Sequence, residues 1–277
     1  MQRLLRAVNA RRRLLQAVLG SAFVRVARAA GSPGTPDLPS PARAPNESIT
    51  PVVIGDTQVE LYTRRFGSGG WRYLNLHENE RTSVEAARLL LQSEPGTLIG
   101  LRSRGSRLVT FHDGGRPYTF DPNRIFSDDG LERTMRHYAS YASKAAEAVR
   151  GLRAAILAAI AGPPEDRIVA LHNNYGGGFS IHRYAQAGTQ SADARAVAMP
   201  SGHEPEDFFL VTRPRDFEAL RDAGFNVVLQ AEHPADDGSL SVWAQREGRA
   251  YVNVEARHGR LQTQLRMLRA VAALARM

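Results

Sequence analysis

The sequence contains no cysteine, and only one of its 36 basic residues is a lysine, Lys144. The absence of cysteine excludes disulfides, thiolate metal sites and cysteine nucleophiles. Any metal ion that the protein binds must therefore be held by histidine, aspartate or glutamate side chains. The near absence of lysine indicates genomic base composition and not a function.

The net positive charge of the protein is concentrated at the start of the chain. The net charge is +8, but residues 1–44 hold eight arginines against Asp37 alone, which amounts to +7 and leaves +1 for the remainder. A nearly neutral folded part argues against a duplex-binding surface. We therefore expect no nucleic-acid partner.

The start of the chain has the order of an export signal. Residues 1–13 are basic, residues 14–24 are apolar, and small residues follow near 27–30. A basic, apolar and small-residue order is typical of secretory signals, and this apolar run is too short to span a bilayer. Residues 11–15 also resemble a twin-arginine signal. The alternative is an amphipathic or disordered N-terminal arm.

These features divide the chain into three predicted parts. We expect an export signal over residues 1–30, a linker rich in Pro, Gly and Ser over 31–50, and a catalytic domain over 51–277. The protein would then be periplasmic or secreted, with no stable membrane anchor once the signal is removed. It would be cytoplasmic if the N-terminus is not a signal.

From residue 51 onwards the sequence alternates between strand and helix patterns. The predicted strands cover 58–64, 71–76, 107–111, 168–171, 208–212, 225–230, 240–245 and 250–254. The predicted helices cover 83–93, 130–161, 215–223 and 261–276. Such alternation predicts an α/β fold with a mixed, mainly parallel sheet flanked by helices.

Three of the predicted strands end in a polar side chain. His77, His172 and Glu255 each follow an apolar strand directly. In open α/β sheets, functional sites form at the carboxyl ends of the strands. A single polar residue at such a place is most often a solvated loop residue, but three metal-competent or basic endings favour a shared site.

The segment His77-Glu78-Asn79-Glu80 offers an imidazole and a carboxylate three residues apart, a spacing that allows both to face one ion. The pattern is weak by itself, because His203-Glu204-Pro205-Glu206 has the same spacing. That second copy lies in a proline-containing loop, where a surface pair is the simpler interpretation. We prefer His77 and Glu80 because they follow a strand.

Four motifs occur in a fixed order. They are His77-x-x-Glu80; Arg116 ahead of Asp121-Pro122-Asn123-Arg124; Leu171-His172 before small polar residues; and Val254-Glu255 with Gly259 after it. At these positions the sequence resembles the zinc carboxypeptidase superfamily, closest to its succinylglutamate desuccinylase and aspartoacylase branch. The resemblance covers about residues 72–260.

The resemblance implies a role for each residue. His77, Glu80 and His172 would hold one zinc ion, and Glu255 would be the catalytic base. Arg116 would stabilise the developing oxyanion, while Asn123 and Arg124 would bind a substrate carboxylate. Elementary chemistry agrees, since two histidines and a glutamate leave zinc an open fourth position and arginine binds carboxylates bidentately.

The sequence departs from that branch in two respects. Only a short helix follows Glu255, where aspartoacylases carry a further β-rich domain. No tyrosine lies in the interval before Glu255 where digestive-type carboxypeptidases have one, so Tyr175 or Tyr251 would have to fill that place. The loop over residues 231–238 is consistent with a plain turn or with a segment that shapes substrate choice.

These observations predict a zinc-dependent hydrolase that cleaves an amide bond next to a free carboxylate. Two kinds of substrate fit, a small N-acyl amino acid and the C-terminus of a peptide such as a cell-wall peptide. The alternative is an exported protein that binds a metal ion or a peptide without turnover. The presence of Glu255 argues against it, because binding alone needs no base.

Overall fold

The computed structural model describes residues 46–163, 166–175 and 177–276. These residues form a nine-stranded mixed sheet, covered by helices, and a separate two-stranded hairpin. The predicted fold class, α/β with a mixed sheet flanked by helices, is confirmed. The predicted export signal over 1–30, and the linker as far as residue 45, lie outside the described residues.

The strands are β1 Glu47–Ile54, β2 Thr57–Phe66, β3 Trp71–Asn75, β4 Gly96–Arg102, β5 Val109–Asp113, β6 Arg116–Phe120, β7 Ile168–Asn174, β8 Ala194–Ala198, β9 Phe208–Val211, β10 Val227–Gln230 and β11 Tyr251–Arg257. The α-helices are α1 Arg81–Leu90, α2 Asp128–Tyr138, α3 Ser143–Ala159, α4 Pro214–Asp222, α5 Leu240–Arg246 and α6 Leu261–Ala273. A 3₁₀ turn covers Pro122–Arg124.

The strand order in the sheet is β1-β2-β4-β3-β7-β11-β9-β10-β8, and β5 pairs with β6 in the hairpin. The four central strands, β4, β3, β7 and β11, are mutually parallel. Antiparallel pairs lie on both sides of them. The carboxyl ends of β3, β7 and β11 therefore meet at one edge of the sheet.

Apolar side chains cover both faces of the sheet. Successive strand residues point to opposite faces, and accordingly Leu74 and Tyr73 belong to different apolar clusters. One cluster includes residues of α2, α3, α5 and the hairpin, and the other includes residues of α1, α4 and α6. The described chain is thus a three-layer arrangement of helices, sheet and helices.

Two predicted elements differ in the structure. Residues 240–245, predicted as a strand, form helix α5, whose first turn is capped by the Ser239 hydroxyl accepting a hydrogen bond from the Val242 N–H. The single helix predicted over 130–161 is two helices, α2 and α3, separated by extended backbone at Ala142. The break falls within residues 139–142, which contain no glycine or proline, so the sequence has no helix-breaking residue there.

Strands β1, β4, β6 and β8 were not predicted. Strand β1 begins at Glu47, so the last four residues of the predicted linker belong to the sheet. Its alternating exposure and Pro51 are typical of an edge strand, which β1 is. Helix α4 was predicted well, because Pro214 opens it and Gly224 follows it at φ +83°.

Among the described residues, no helix has the length and apolar character needed to cross a membrane.

Candidate metal centre and active site

Strand register brings the predicted site residues together. His172 and Glu255 are direct neighbours across the parallel pair β7 and β11. Strand β3 lies on the other side of β7, with Leu74 opposite Ala170, and His77 follows β3 by two residues. His172 and Glu255 lie before the ends of their strands, because each strand continues two residues past the site residue and three residues further than the sequence predicted.

His77, Glu80 and His172 form a buried cluster that could hold a metal ion. The His77 Nδ1 atom lies 3.0 Å from Glu80 Oε1, and the His172 Nδ1 atom lies 3.0 Å from Glu80 Oε2. The two Nδ1 atoms are 3.3 Å apart. All three residues were predicted as metal ligands, and the structure places their donor atoms around one point.

The second nitrogen of His77 fixes the orientation of its ring. Nε2 lies 2.8 Å from Asp121 Oδ1, so the carboxylate accepts the Nε2–H and leaves Nδ1 turned to the cluster. A carboxylate behind a histidine is the usual arrangement at metal sites. Burial lowers the pKa of His77, but Glu80 and Asp121 raise it more, to about 9.

The Glu80 carboxylate has four polar partners. Besides the two histidines, its carboxylate accepts hydrogen bonds from the Asn173 backbone N–H at 3.1 Å and from Arg107 at 2.6 Å. Burial alone would raise the pKa of Glu80, but the two histidines lower it overall. The carboxylate is therefore present as an anion at neutral pH.

The donor set fits a zinc ion. Ligands bound tetrahedrally at about 2.0–2.1 Å lie roughly 3.3 Å from one another, close to the observed separations of 3.0, 3.0 and 3.3 Å. Two imidazoles and one carboxylate are also the protein ligands of a catalytic site with an open fourth position. Two facing Nδ1 atoms need a proton or a cation between them.

Glu255 lies beside this cluster with its carboxylate positioned by two amides. Asn253 Nδ2 donates to one oxygen and Asn174 Nδ2 to the other, each at 3.3 Å. Burial raises the pKa of Glu255 above the ordinary value, and the nearby charge of Glu80 adds to this effect. A buried carboxylate with a raised pKa beside a metal-competent cluster has the properties of a general base.

A cavity of about 400 Å³, called here the main cavity, connects the cluster with Glu255. Six polar or charged residues that are discussed above or below line this cavity: Glu80, Arg107, Asn123, Arg124, His172 and Glu255. The structure thus brings the predicted metal ligands, base and carboxylate-binding residues to one place.

Arg116 does not lie in this cavity. It opens strand β6 at the tip of the hairpin, opposite Asp113, and its side chain is exposed. The predicted oxyanion role of Arg116 is therefore inconsistent with its position. Arg107 lines the cavity instead, with its guanidinium 2.6 Å from Glu80 and 3.3 Å from Asp121.

Asn123 and Arg124 lie on the 3₁₀ turn directly after Asp121. The Asn123 side-chain oxygen accepts the Leu240 N–H at 3.1 Å, which ties the turn to the start of α5. Arg124 Nη2 lies 3.7 Å from Asp237 Oδ2, and the Arg124 side chain remains 38% exposed. Its guanidinium can therefore still bind a carboxylate from the cavity.

The other candidate residues lie elsewhere or line the cavity differently than expected. In the second His-x-x-Glu segment, His203 lies near the Phe225 ring and Glu206 accepts a hydrogen bond from the Gly177 N–H, so neither side chain belongs to the metal-competent cluster of the described residues. Tyr251 and Tyr175 both line the cavity, Tyr251 from within the core and Tyr175 as an exposed residue. A third tyrosine, Tyr184, also lines it and was given no role from the sequence.

Sequence reasoning missed Arg107, Asp237 and the positioning role of Asp121. Asp121 belonged to a motif that was noticed, and its position after a strand was the available indication. Arg107 and Asp237 lie in loops, between β4 and β5 and ahead of α5. Nothing in the local sequence distinguishes Arg107, which lay in a predicted strand. Asp237 lies in the loop over residues 231–238, for which a plain turn and a role in substrate choice were both left open.

No family model matches the chain, and no curated protein matches it significantly. Solved structures do show similarity. An aspartoacylase family protein from Mesorhizobium loti has 14% identity and a TM-score of 0.46, covering 83% of this chain and 68% of that one. A protein from Shewanella denitrificans described as a metallopeptidase has 15% identity and a TM-score of 0.37, covering 82% of each chain.

A third similar structure comes from Shewanella amazonensis. It is described as a succinylglutamate desuccinylase/aspartoacylase family protein, with 13% identity, a TM-score of 0.37 and coverage of 82% of this chain and 71% of that one. Two of the three descriptions name an aspartoacylase or succinylglutamate desuccinylase/aspartoacylase family. Each is a likeness in fold only.

Proposed function

We propose that the protein is a zinc-dependent hydrolase that cleaves an amide bond next to a free carboxylate. The observation that carries this proposal is the convergence of His77, Glu80 and His172, whose donor atoms all lie within 4.8 Å of one another. Glu255, the neighbour of His172 on the next strand, supports the proposal because it places a carboxylate beside the cluster.

The three cluster residues would hold a single zinc ion. When bound there, zinc would lower the pKa of a water at its open position to about 7 and polarise a carbonyl oxygen. Asp121 keeps the His77 ring turned to the ion, and Arg107 and the Asn173 N–H fix the Glu80 carboxylate. These contacts hold the ligands in place before any metal binds.

Glu255 would move the protons. As an anion it accepts the proton of the attacking water, and as an acid it returns that proton to the leaving nitrogen. Its raised pKa favours both directions of transfer, because it lies nearer to neutrality than that of an exposed glutamate. Asn174 and Asn253 hold its two oxygens during the exchange.

Two arginines would recognise negative charge at different positions. Arg107 contacts the cluster, so it would stabilise the oxyanion that develops on the scissile carbonyl. Arg124, with Asn123 beside it, would bind the free carboxylate of the substrate. The separation of these two cations in one cavity favours a substrate with a carboxylate close to the scissile amide.

Both substrate kinds named above fit this arrangement, an N-acyl amino acid and a peptide C-terminus. We propose export through residues 1–30 as well, and an exported enzyme would favour cell-wall or other extracellular peptides. The export proposal can be tested apart from the activity, by determining the N-terminus of the mature protein in its native cells.

The direct test is hydrolysis by the zinc-loaded protein on a panel of dipeptides, cell-wall peptides and N-acyl amino acids. Glu255→Gln is the matched control, since it keeps shape and metal ligands but cannot accept a proton. We expect turnover of at least one carboxylate-bearing amide by the wild type and loss of that turnover in the variant. Zinc binding without turnover of any amide would support the metal- or peptide-binding alternative.

A further inference from the structure

A small second cavity, called here the inner chamber, adjoins the main cavity. The two share Tyr184, Gln190, Leu210, Asp237 and Ser241 in their linings. The inner chamber has a volume of about 20 Å³. A water molecule needs roughly 10–15 Å³ of such space, so the chamber holds one water-sized group.

Buried amide atoms around this chamber have no hydrogen-bond partner within the described residues. Gln230, at the end of β10, is 3% exposed, and neither its Oε1 nor its Nε2 has one. The same is true of Gln190 Oε1. Unpaired buried polar atoms destabilise a protein, and nearly all are satisfied by protein, water or ligand.

The neighbouring part of the main cavity continues this pattern. Asn253 and Asn174 each donate an N–H to Glu255, which fixes the orientation of both amides. The side-chain oxygens of both asparagines have no hydrogen-bond partner among the described residues. The region next to Glu255 is therefore richer in hydrogen-bond acceptors than in donors.

The charged residues that line the inner chamber are acidic. Asp193 and Asp237 both line it, and none of its described lining residues is an arginine, lysine or histidine. Asp193 accepts a hydrogen bond from the Ala235 N–H, and Asp237 accepts one from the Ser239 N–H. The second oxygen of Asp193 remains for a further donor, whereas the second oxygen of Asp237 lies 3.7 Å from Arg124 Nη2.

We propose that the inner chamber binds the terminal ammonium group of a substrate side chain. The substrate would then be an amide of a diamino acid, with its carboxylate on Arg124 and its side-chain ammonium in the chamber. Arg124 lies 3.7 Å from Asp237, which lines both cavities, so one amino-acid residue can reach both places. This inference rests on the proposed function, of which it names the substrate class.

Size and chemistry exclude the other side chains. An ammonium group has the size of a water molecule and three N–H donors, whereas a guanidinium is larger than the chamber. An aliphatic end would leave the amide oxygens unpaired, and a carboxylate would face two like charges.

The test measures binding, so that it does not depend on turnover. The zinc-loaded full chain is titrated calorimetrically with L-lysine, L-ornithine, L-norleucine, L-glutamate and L-arginine. We expect lysine or ornithine to bind about tenfold more tightly than norleucine, because a hydrogen bond to a charged group is worth at least that ratio. Equal affinities for lysine, ornithine and norleucine, or tighter binding of glutamate or arginine, would overturn the proposal.

Two substitutions refine this measurement. Asp193→Asn keeps an acceptor for the Ala235 N–H but removes the charge, and Gln230→Met removes an amide of similar shape. Both should reduce the preference for the ammonium ligand by about threefold or more, with norleucine binding unchanged. Gln230→Met should not lower the thermal midpoint, since the Gln230 amide has no hydrogen-bond partner among the described residues. Asp222→Asn, on the exposed end of α4, is the control and should leave the preference unchanged.

Hydrolysis of N-acetyl derivatives of the same amino acids separates the two proposals. Turnover without preference for lysine or ornithine would overturn the chamber assignment and leave the hydrolase intact. Binding with the expected preference, but no hydrolysis of any amide, would overturn the hydrolase and leave the chamber assignment intact.

Discussion

One part of the main cavity is carried by the sheet, and another part is carried by loops and turns. His172 and Glu255 lie on adjacent strands whose pairing fixes their distance, and His77 follows the next strand by two residues. Arg107, Arg124 and Asp237 lie on connections between elements. Hydrogen-bonded register determines the first group, whereas the second depends on how the connections fold over the sheet.

The comparison leads to different expectations for the two parts. Sheet-carried residues should be intolerant of substitution because their positions are determined by many backbone hydrogen bonds. Residues in loops and turns should determine which substrates bind and how strongly the negative charge of the transition state is stabilised. Substitutions in each part therefore test which part performs the chemistry and which performs recognition.

The largest effect is expected at Glu255. Glu255→Gln should retain one zinc ion per chain and lose about 10²–10⁴-fold in kcat, which is the usual contribution of a general acid–base group. Steady-state kinetics with metal analysis of the same sample would check this. Near-full turnover with zinc bound would place the base elsewhere, and Glu232 is a poor substitute because it is exposed and pairs with Arg195.

The arginine pair gives the next largest contrast. Arg107→Ala should lower kcat by about 10²–10³-fold, as the loss of an oxyanion-stabilising donor does. Arg116→Ala is the matched control on the exposed hairpin tip and should change kcat by less than about twofold. The reverse result would restore Arg116 to the role predicted from the sequence and contradict the position of the hairpin.

The pH profile should show the environment of Glu255. Burial raises the pKa of this carboxyl, and only the unprotonated form acts as a base. The value of kcat/KM should therefore fall as the pH drops through a pKa above 4.5, by about tenfold per pH unit below it. A profile flat down to pH 4.5 would show that no buried carboxyl limits the reaction.

The sequence predicted the sheet-carried part better than the loop-carried part. His77, His172 and Glu255 were visible because each follows an apolar run, and parallel strands bring their carboxyl ends together. Arg116 was predicted from the order of the motifs, and only the structure shows that it lies at the tip of the hairpin formed by β5 and β6. The position of such a side chain depends on packing between segments that are distant in sequence, and a local sequence pattern carries no information about that packing.

The edge of the sheet shows the same limit. The first four residues of strand β1, 47–50, were predicted as linker because they follow a stretch rich in Pro, Gly and Ser. The structure explains the strand by contacts that are distant in sequence, since Glu47 pairs with Arg64 at 3.0 Å and with Arg102 at 2.8 Å. The side chains of Glu47 and Arg64 are 2% and 7% exposed, so their ion pair is buried, whereas Arg102 is 33% exposed.

A truncation series tests this correction and has the smallest expected effect. A protein that starts at Asn46 should keep the thermal midpoint of the full chain within about 2 °C, because its sheet is intact. A protein that starts at Val52 loses Glu47 and leaves Arg64 buried without its partner, which should destabilise it by about 3 kcal/mol. Calorimetric midpoints of the two proteins provide the comparison, and equal midpoints would show that β1 contributes nothing.

The metal centre is tested most directly by a zinc titration of the full chain combined with X-ray absorption at the zinc edge. We predict one zinc ion per chain, bound by two nitrogens and one oxygen of the protein at about 2.0–2.2 Å, and loss of tight binding in His172→Ala. Zinc bound equally tightly by His172→Ala, or no zinc bound by the wild type, would contradict the assignment of His77, Glu80 and His172 as the metal centre.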